Sequence, residues 1–116
     1  MENAYSLLAR GHQLLEERHA AQAAIVLERA KELEPNKASI REALARAYYN
    51  SGRFESSTKE FDKALEIEPT NHYAHFGIGL CFSKLGDRAA ALRHLKIAIA
   101  MEPDERYKEA LIRIFG

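Results

Sequence analysis

Three stretches decide the fold: Ala30-Lys31-Glu32-Leu33-Glu34-Pro35-Asn36, Ala64-Leu65-Glu66-Ile67-Glu68-Pro69-Thr70 and Ala98-Ile99-Ala100-Met101-Glu102-Pro103-Asp104. Each ends in Glu-Pro plus a small polar residue, and the prolines at 35, 69 and 103 keep one spacing of 34 residues. A fixed period of this length is the mark of a stacked repeat, in which each unit buries its apolar face only against a neighbour. Proline lacks the N–H that a helix interior needs and biases its predecessor away from helical angles, so each Glu-Pro closes a unit. The units run 4–37, 38–71 and 72–105, with residues 106–116 left over as a further helix.

Reading down the columns identifies the packing. Gly11, Ala45 and Gly79 coincide, as do Ala23, Ser57 and Ala91, and Ala30, Ala64 and Ala98. These are small positions. Leu27, Phe61 and Leu95 form a bulky column, and Leu14, Tyr48 and Phe82 another. Large side chains set against small ones let antiparallel helices interlock at interior density. In the second unit Ala43, Leu44, Ala47 and Tyr48 share one helical face, Ser51-Gly52 interrupts it, and a second helix carries Phe54, Phe61, Ala64, Leu65 and Ile67. No strand pattern appears, so the fold class is all-α.

The turn between the paired helices holds Gly52 and Gly86, but Arg18 in the first unit. Glycine suits a left-handed helix cap, so Arg18 is expected either to be strained or to use another turn, and the first turn to be the loosest. Asn36, Thr70 and Asp104 follow the prolines and are expected to cap the next helices. Ser39 and Glu42 have the spacing of a capping box.

Composition narrows the function. The chain has 116 residues, the length of one domain, and 47% hydrophobic content. Seventeen basic and seventeen acidic residues cancel, and they stay balanced within each unit, so there is no electrostatic footprint for nucleic acid. Arg88, Arg93 and Lys96 form the longest one-sign stretch and read as a solvated helix face. No signal-peptide pattern and no membrane-length apolar run is present, and the single Cys81 cannot form an internal disulfide. A cytoplasmic location is expected.

No chemistry stands apart from the helical periodicity. Cys81 sits beside a packing face. His72 and His75 share a helix face, but two imidazoles are too few for a metal site. Gly77-Ile78-Gly79 has no strand before it, and Gly79 belongs to a close-packing column, so it is no phosphate loop. No enzyme activity, cofactor or metal is expected.

The period, the small and large columns, the mid-unit glycine and the closing proline resemble the tetratricopeptide-repeat family over residues 4–105. The first unit departs at Arg10, where Leu44 and Ile78 stand in the others. The resemblance implies a right-handed superhelix of helix pairs. First helices would line a concave groove that binds a protein or peptide partner. The groove would be lined by Tyr5, Leu8, His12 and Leu15 in the first unit. The second would supply Ser39, Glu42, Arg46, Tyr49 and Asn50, and the third Tyr73, Phe76, Leu80, Ser83 and Lys84. One class in the family grips the C-terminal carboxylate of chaperone tails with Lys and Asn. The matching positions here hold Leu8, His12, Ala43, Tyr73 and Gly77, so that clamp is not expected. A related 35-residue RNA-binding repeat is disfavoured by the 34-residue step and zero net charge.

Residues 106–116 continue the register as a C-terminal helix. Tyr107, Ala110, Leu111, Ile112, Ile114 and Phe115 spread wider than one docking stripe. That predicts apolar surface at Leu111, Ile112 and Phe115. Either the chain is expected to be cut from a longer array, or this end meets another subunit; the alternative function is therefore self-assembly as a homo-oligomer through this helix or the groove.

Overall fold

A computed structural model describes residues 2–116. Among these, the chain forms seven α-helices and no strand: α1 Ala4–Glu16, α2 Ala20–Leu33, α3 Ala38–Asn50, α4 Phe54–Ile67, α5 His72–Leu85, α6 Arg88–Met101 and α7 Glu105–Phe115. Helices α1/α2, α3/α4 and α5/α6 pair within units, and α2/α3 and α4/α5 pack between them. The stack measures 48 × 26 × 23 Å. No helix among the described residues is long and apolar enough to cross a membrane.

All three intra-unit turns have one geometry. Arg18, Gly52 and Gly86 have φ of 65°, 81° and 87°. The next N–H reaches back to the bulky column: His19 N to Leu14 O at 2.8 Å, Arg53 N to Tyr48 O at 2.8 Å and Asp87 N to Phe82 O at 2.9 Å. Arg18 therefore makes the glycine turn at the cost of a left-handed backbone.

The inter-unit caps differ from expectation. Glu68 O accepts from Asn71 N at 3.1 Å, so Pro69 and Thr70 occupy the centre of a turn and the cap moves one residue on. Asn71 Oδ1 accepts from Ala74 N at 3.0 Å; Thr70 does not cap. Lys37, not Asn36, holds the corresponding place before α3 and caps without its side chain. Ser39 lies inside α3, so Ser39 and Glu42 form no capping box; the box that does form joins Asn3 and Ser6 at α1. Asp104 caps as expected, accepting from Arg106 N at 2.8 Å. There the link is tighter, with Asp104 N to Glu102 O at 2.8 Å, and α7 begins at 105 rather than 106.

The columns pack as read. A Cβ on Gly11 would stand 2.6 Å from Leu27 Cγ, and one on Gly79 would stand 2.9 Å from Leu95 Cγ. Ala23, Ser57, Ala91 and the alanines at 30, 64 and 98 are fully buried. Ser57 donates to Ala45 O at 2.7 Å, which satisfies the one hydroxyl in its column. Leu44 and Ile78 are buried against the preceding unit, whereas Arg10 is exposed on the side of α1 that no described helix covers. Buried Glu60 of α4 joins Lys31 of α2 across units at 3.2 Å and Arg41 of α3 within its own unit at 2.9 Å.

Candidate interaction groove

The concave face is built from α1, α3, α5 and α7, and it is not continuous. Between α3 and α5 lies a cavity of about 200 Å³. Its floor is the Phe61 ring, which α4 pushes through to the concave side. That ring can approach because Gly77 has no side chain: a Cβ there would stand 2.8 Å from Phe61 Cε1. Tyr49, Tyr73 and Leu80 form the walls, and Arg46 and Asn50 the rim. Five of the residues read as groove-lining thus meet at one place. Phe61 was read only as a packing position, and Gly77 only as part of a rejected phosphate loop and as a position of the missing clamp; the signal was the glycine opposite a bulky column of the preceding unit.

The other groove residues lie elsewhere. Tyr5 and Leu8 border a separate recess of about 200 Å³ with Lys37 and Ile40. Tyr5 is 83% exposed, His12 and Lys84 are exposed, and Ser39 lies at the surface. Leu15 is 7% exposed and belongs to the core of α1, α2 and α3 with Leu14, Ala43 and Ala47, so most of its surface is unavailable to a partner. Glu42 is half-buried and accepts from Asn71 Nδ2 at 3.0 Å, clipping α3 to α5. A larger recess, about 770 Å³, opens at the end of the stack between α1 and α2 beside the Arg29–Glu2 ion pair. Its surface is mainly apolar, but it is more open than the α3–α5 cavity, which Tyr49, Phe61 and Tyr73 enclose.

An aromatic row runs from the cavity to the end of the groove. Phe61 meets Tyr73 edge-on at 6.1 Å, Tyr73 meets Phe76 at 5.9 Å, and Phe76 stacks on Tyr107 of α7 at 4.5 Å. Tyr107 is fully buried and its hydroxyl lies 2.7 Å from His72 Nδ1. Helix α7 therefore covers Phe76. Burial raises the Tyr73 hydroxyl, with the Arg46 guanidinium pulling it back. Burial raises Tyr49 as well, against a smaller opposite pull from Arg113. Both stay protonated at neutral pH, as does Tyr107, pushed up to about 12 by burial.

Helix α7 is less apolar outside than its sequence suggested. Tyr107 and Ala110 are buried, Leu111 and Ile114 half-buried, and Phe115 is half-buried beneath the Arg88 guanidinium at 5.0 Å. Of the three residues read as self-association surface, Ile112 alone is strongly exposed, at 68%. Glu105, Arg106, Glu109 and Arg113 occupy the solvent side. The register explains this. Arg113 falls in the column of Gly11, Ala45 and Gly79, and Glu109 in that of Leu7, Arg41 and His75. In the first three units those columns face a second helix; here they face water.

The remaining candidates have separate partners. His72 turns to Tyr107, while His75 Nδ1 lies 3.1 Å from His94 Nδ1 on α6. Among the described residues no group of three or more His, Cys, Asp or Glu is placed to hold a metal ion. Cys81 is fully buried and donates to Ser57 Oγ at 3.3 Å; burial pushes its thiol up, away from the reactive thiolate.

Comparison with known proteins agrees with this architecture. Residues 45–86 match the family model described as TPR repeat. The mouse Superkiller complex protein 3 is 28% identical over 100 residues, 86% of this chain and 6% of its own length. The chain thus spans a small part of the curated relatives it matches. Among solved structures, YrrB, described as a TPR protein with an unusual peptide-binding site, superposes with a TM-score of 0.89 at 25% identity, over 97% of this chain and 58% of YrrB. The first TPR of Spaghetti (RPAP3), bound to an HSP90 peptide, superposes at 0.90 with 16% identity, over 97% and 90%. The fold is the right-handed superhelix of stacked helix pairs. The family-model match and these superpositions agree with a stack of three tetratricopeptide-type helix pairs followed by a C-terminal helix.

Proposed function

We propose that the chain is a non-catalytic protein-interaction module that takes a peptide segment in its concave groove, centred on the α3–α5 cavity. The carrying observation is that cavity: Tyr49, Tyr73 and Leu80 stand around a Phe61 floor with Arg46 and Asn50 beside them, so aromatic surface and polar groups line it together. A concavity that combines the two can both bury and orient a ligand. The peptide-binding described for YrrB and the peptide bound to Spaghetti support this reading.

The mode differs from a Lys/Asn carboxylate clamp. Ala43 and Gly77 are buried and carry no cation, and Leu8 and Tyr73 are half-buried. Groove binding is also favoured over self-assembly through Leu111, Ile112 and Phe115, because Ile112 alone offers far less surface than the roughly 800 Å² per partner of a stable interface.

Selection of a displayed random peptide library against the chain tests the reading. Selected peptides should lose at least tenfold in affinity for Leu80→Gln, which puts an amide in the cavity wall without disturbing α7. Peptides that bind both proteins equally would refute the groove as their site.

A further inference from the structure

The chemistry around the α3–α5 cavity defines its ligand more closely; this inference rests on the groove reading above. We propose that the groove selects a peptide carrying an acidic side chain next to a large apolar one, the apolar group entering the cavity and the carboxylate pairing with Arg46.

Three observations converge. The first is size. A space of about 200 Å³ walled by Tyr49, Tyr73 and Leu80 has room for one large apolar side chain, not for a folded element. The missing side chain at Gly77 lets the Phe61 ring reach the floor of this space.

The second is charge. Arg46 stands on the rim and forms no ion pair among the described residues, nor does Arg113. Arg106, also near Tyr73, is held by Asp104 at 2.7 Å. The acid on the same helix as Arg46, Glu42, is engaged with Asn71. The Arg46 guanidinium, which borders the cavity, is thus left for an outside anion.

The third is donor excess. The Tyr49 and Tyr73 hydroxyls are protonated and can donate, as can Arg46 and the Asn50 amide. A carboxylate supplies a charged acceptor for these donors, and its hydrogen bond to a guanidinium is of the stronger, charge-assisted kind. A lysine on the peptide would instead face Arg46.

The test begins with the selected library described above. The expected pool is enriched in Asp or Glu within two positions of Phe, Leu, Ile or Tyr. A selected peptide, synthesised with a fluorescent label, should bind at least tenfold more weakly to Arg46→Glu by anisotropy. Its acid-to-lysine version should bind Arg46→Glu better than wild type. Arg46→Gln gives an intermediate loss, and thermal melts show that each variant is folded. A pool without acidic enrichment, or affinity unchanged within twofold in Arg46→Glu, overturns this inference while peptides that still depend on Leu80 keep the groove reading. If wild type enriches no peptide, both are overturned.

Discussion

Gly77→Ala is a single added carbon placed where the fold leaves no room for it. The new Cβ would stand 2.8 Å from Phe61 Cε1, and nearer still to the ring's tip. Ordinary carbon contacts lie at roughly 3.5–4.0 Å. Phe61 cannot swing away, because it is 2% exposed and clustered with Ala45, Ala64, Ala74, Ile78 and Cys81. Overpacking of this kind costs about 1–3 kcal/mol, and a rigid ring between helices of two units belongs at the upper end. Alanine returns about 1 kcal/mol in helix propensity. The net expectation is a loss of about 2 kcal/mol, read from urea melts followed by circular dichroism. Phe61→Leu in the same chain should relieve the clash, so the double variant should lose less than the sum of the singles by about 1–2 kcal/mol. If Gly77→Ala is as stable as wild type or more so, helix propensity outweighs packing, and the tight fit of Phe61 against Gly77 is refuted as what forms the cavity floor.

Other consequences can be measured directly. Arg18→Gly should stabilise the chain by about 1 kcal/mol, because it relieves the left-handed backbone that Gly52 and Gly86 adopt freely; an unchanged urea midpoint would refute the strain. Tyr107→Ala should release α7 by emptying a fully buried aromatic site at a cost of about 3–5 kcal/mol, seen as faster hydrogen exchange across 105–115, whereas exchange like wild type's would show α7 is held otherwise. His75 and His94 meet nitrogen to nitrogen at 3.1 Å with ring centroids 5.3 Å apart, and burial lowers both below 6.5, His75 lowering His94 further. The unfolded chain then holds more protons than the folded one between those lowered values and 6.5. Their contribution to stability is whole above about pH 6.5 and falls as the pH drops below it. Asp62 opposes this by raising His75, and Arg93 adds to it by lowering His94. Melting temperatures of wild type should fall between pH 7.5 and 5.5, and His94→Phe should flatten the fall; an equal slope in both would place the titration elsewhere.

Repetition made most of the fold legible. The 34-residue step, the Glu-Pro closures and the small and bulky columns are local or periodic signals, and helix formation and turn chemistry respond to just such signals. Leu27, Phe61 and Leu95 were recognisable as core, and Arg18 as the odd member of a glycine column, from the sequence alone. What escaped was set by distance in three dimensions. The caps moved from Asn36 and Thr70 to Lys37 and Asn71 because a proline turn needs both of its central residues. Leu15 shares its repeat position with Tyr49, yet it faces Ala43 and Ala47 across a helix pair, and one residue's spacing does not say how deeply a neighbour covers it. Helix α7 kept its expected place, but its outer face is polar because no second helix meets Glu109 and Arg113. The cavity is the plainest case. Phe61 and Gly77 belong to different repeats, and neither alone reads as part of a site. Only the stacking of α4 against α5 sets the ring over the missing side chain and opens the space between Tyr49 and Tyr73. The sequence alone determined the repeating helix pair, since its causes lie within 34 residues; the tertiary structure decided the site, since a cavity is a relation between surfaces that meet only after the repeats have stacked.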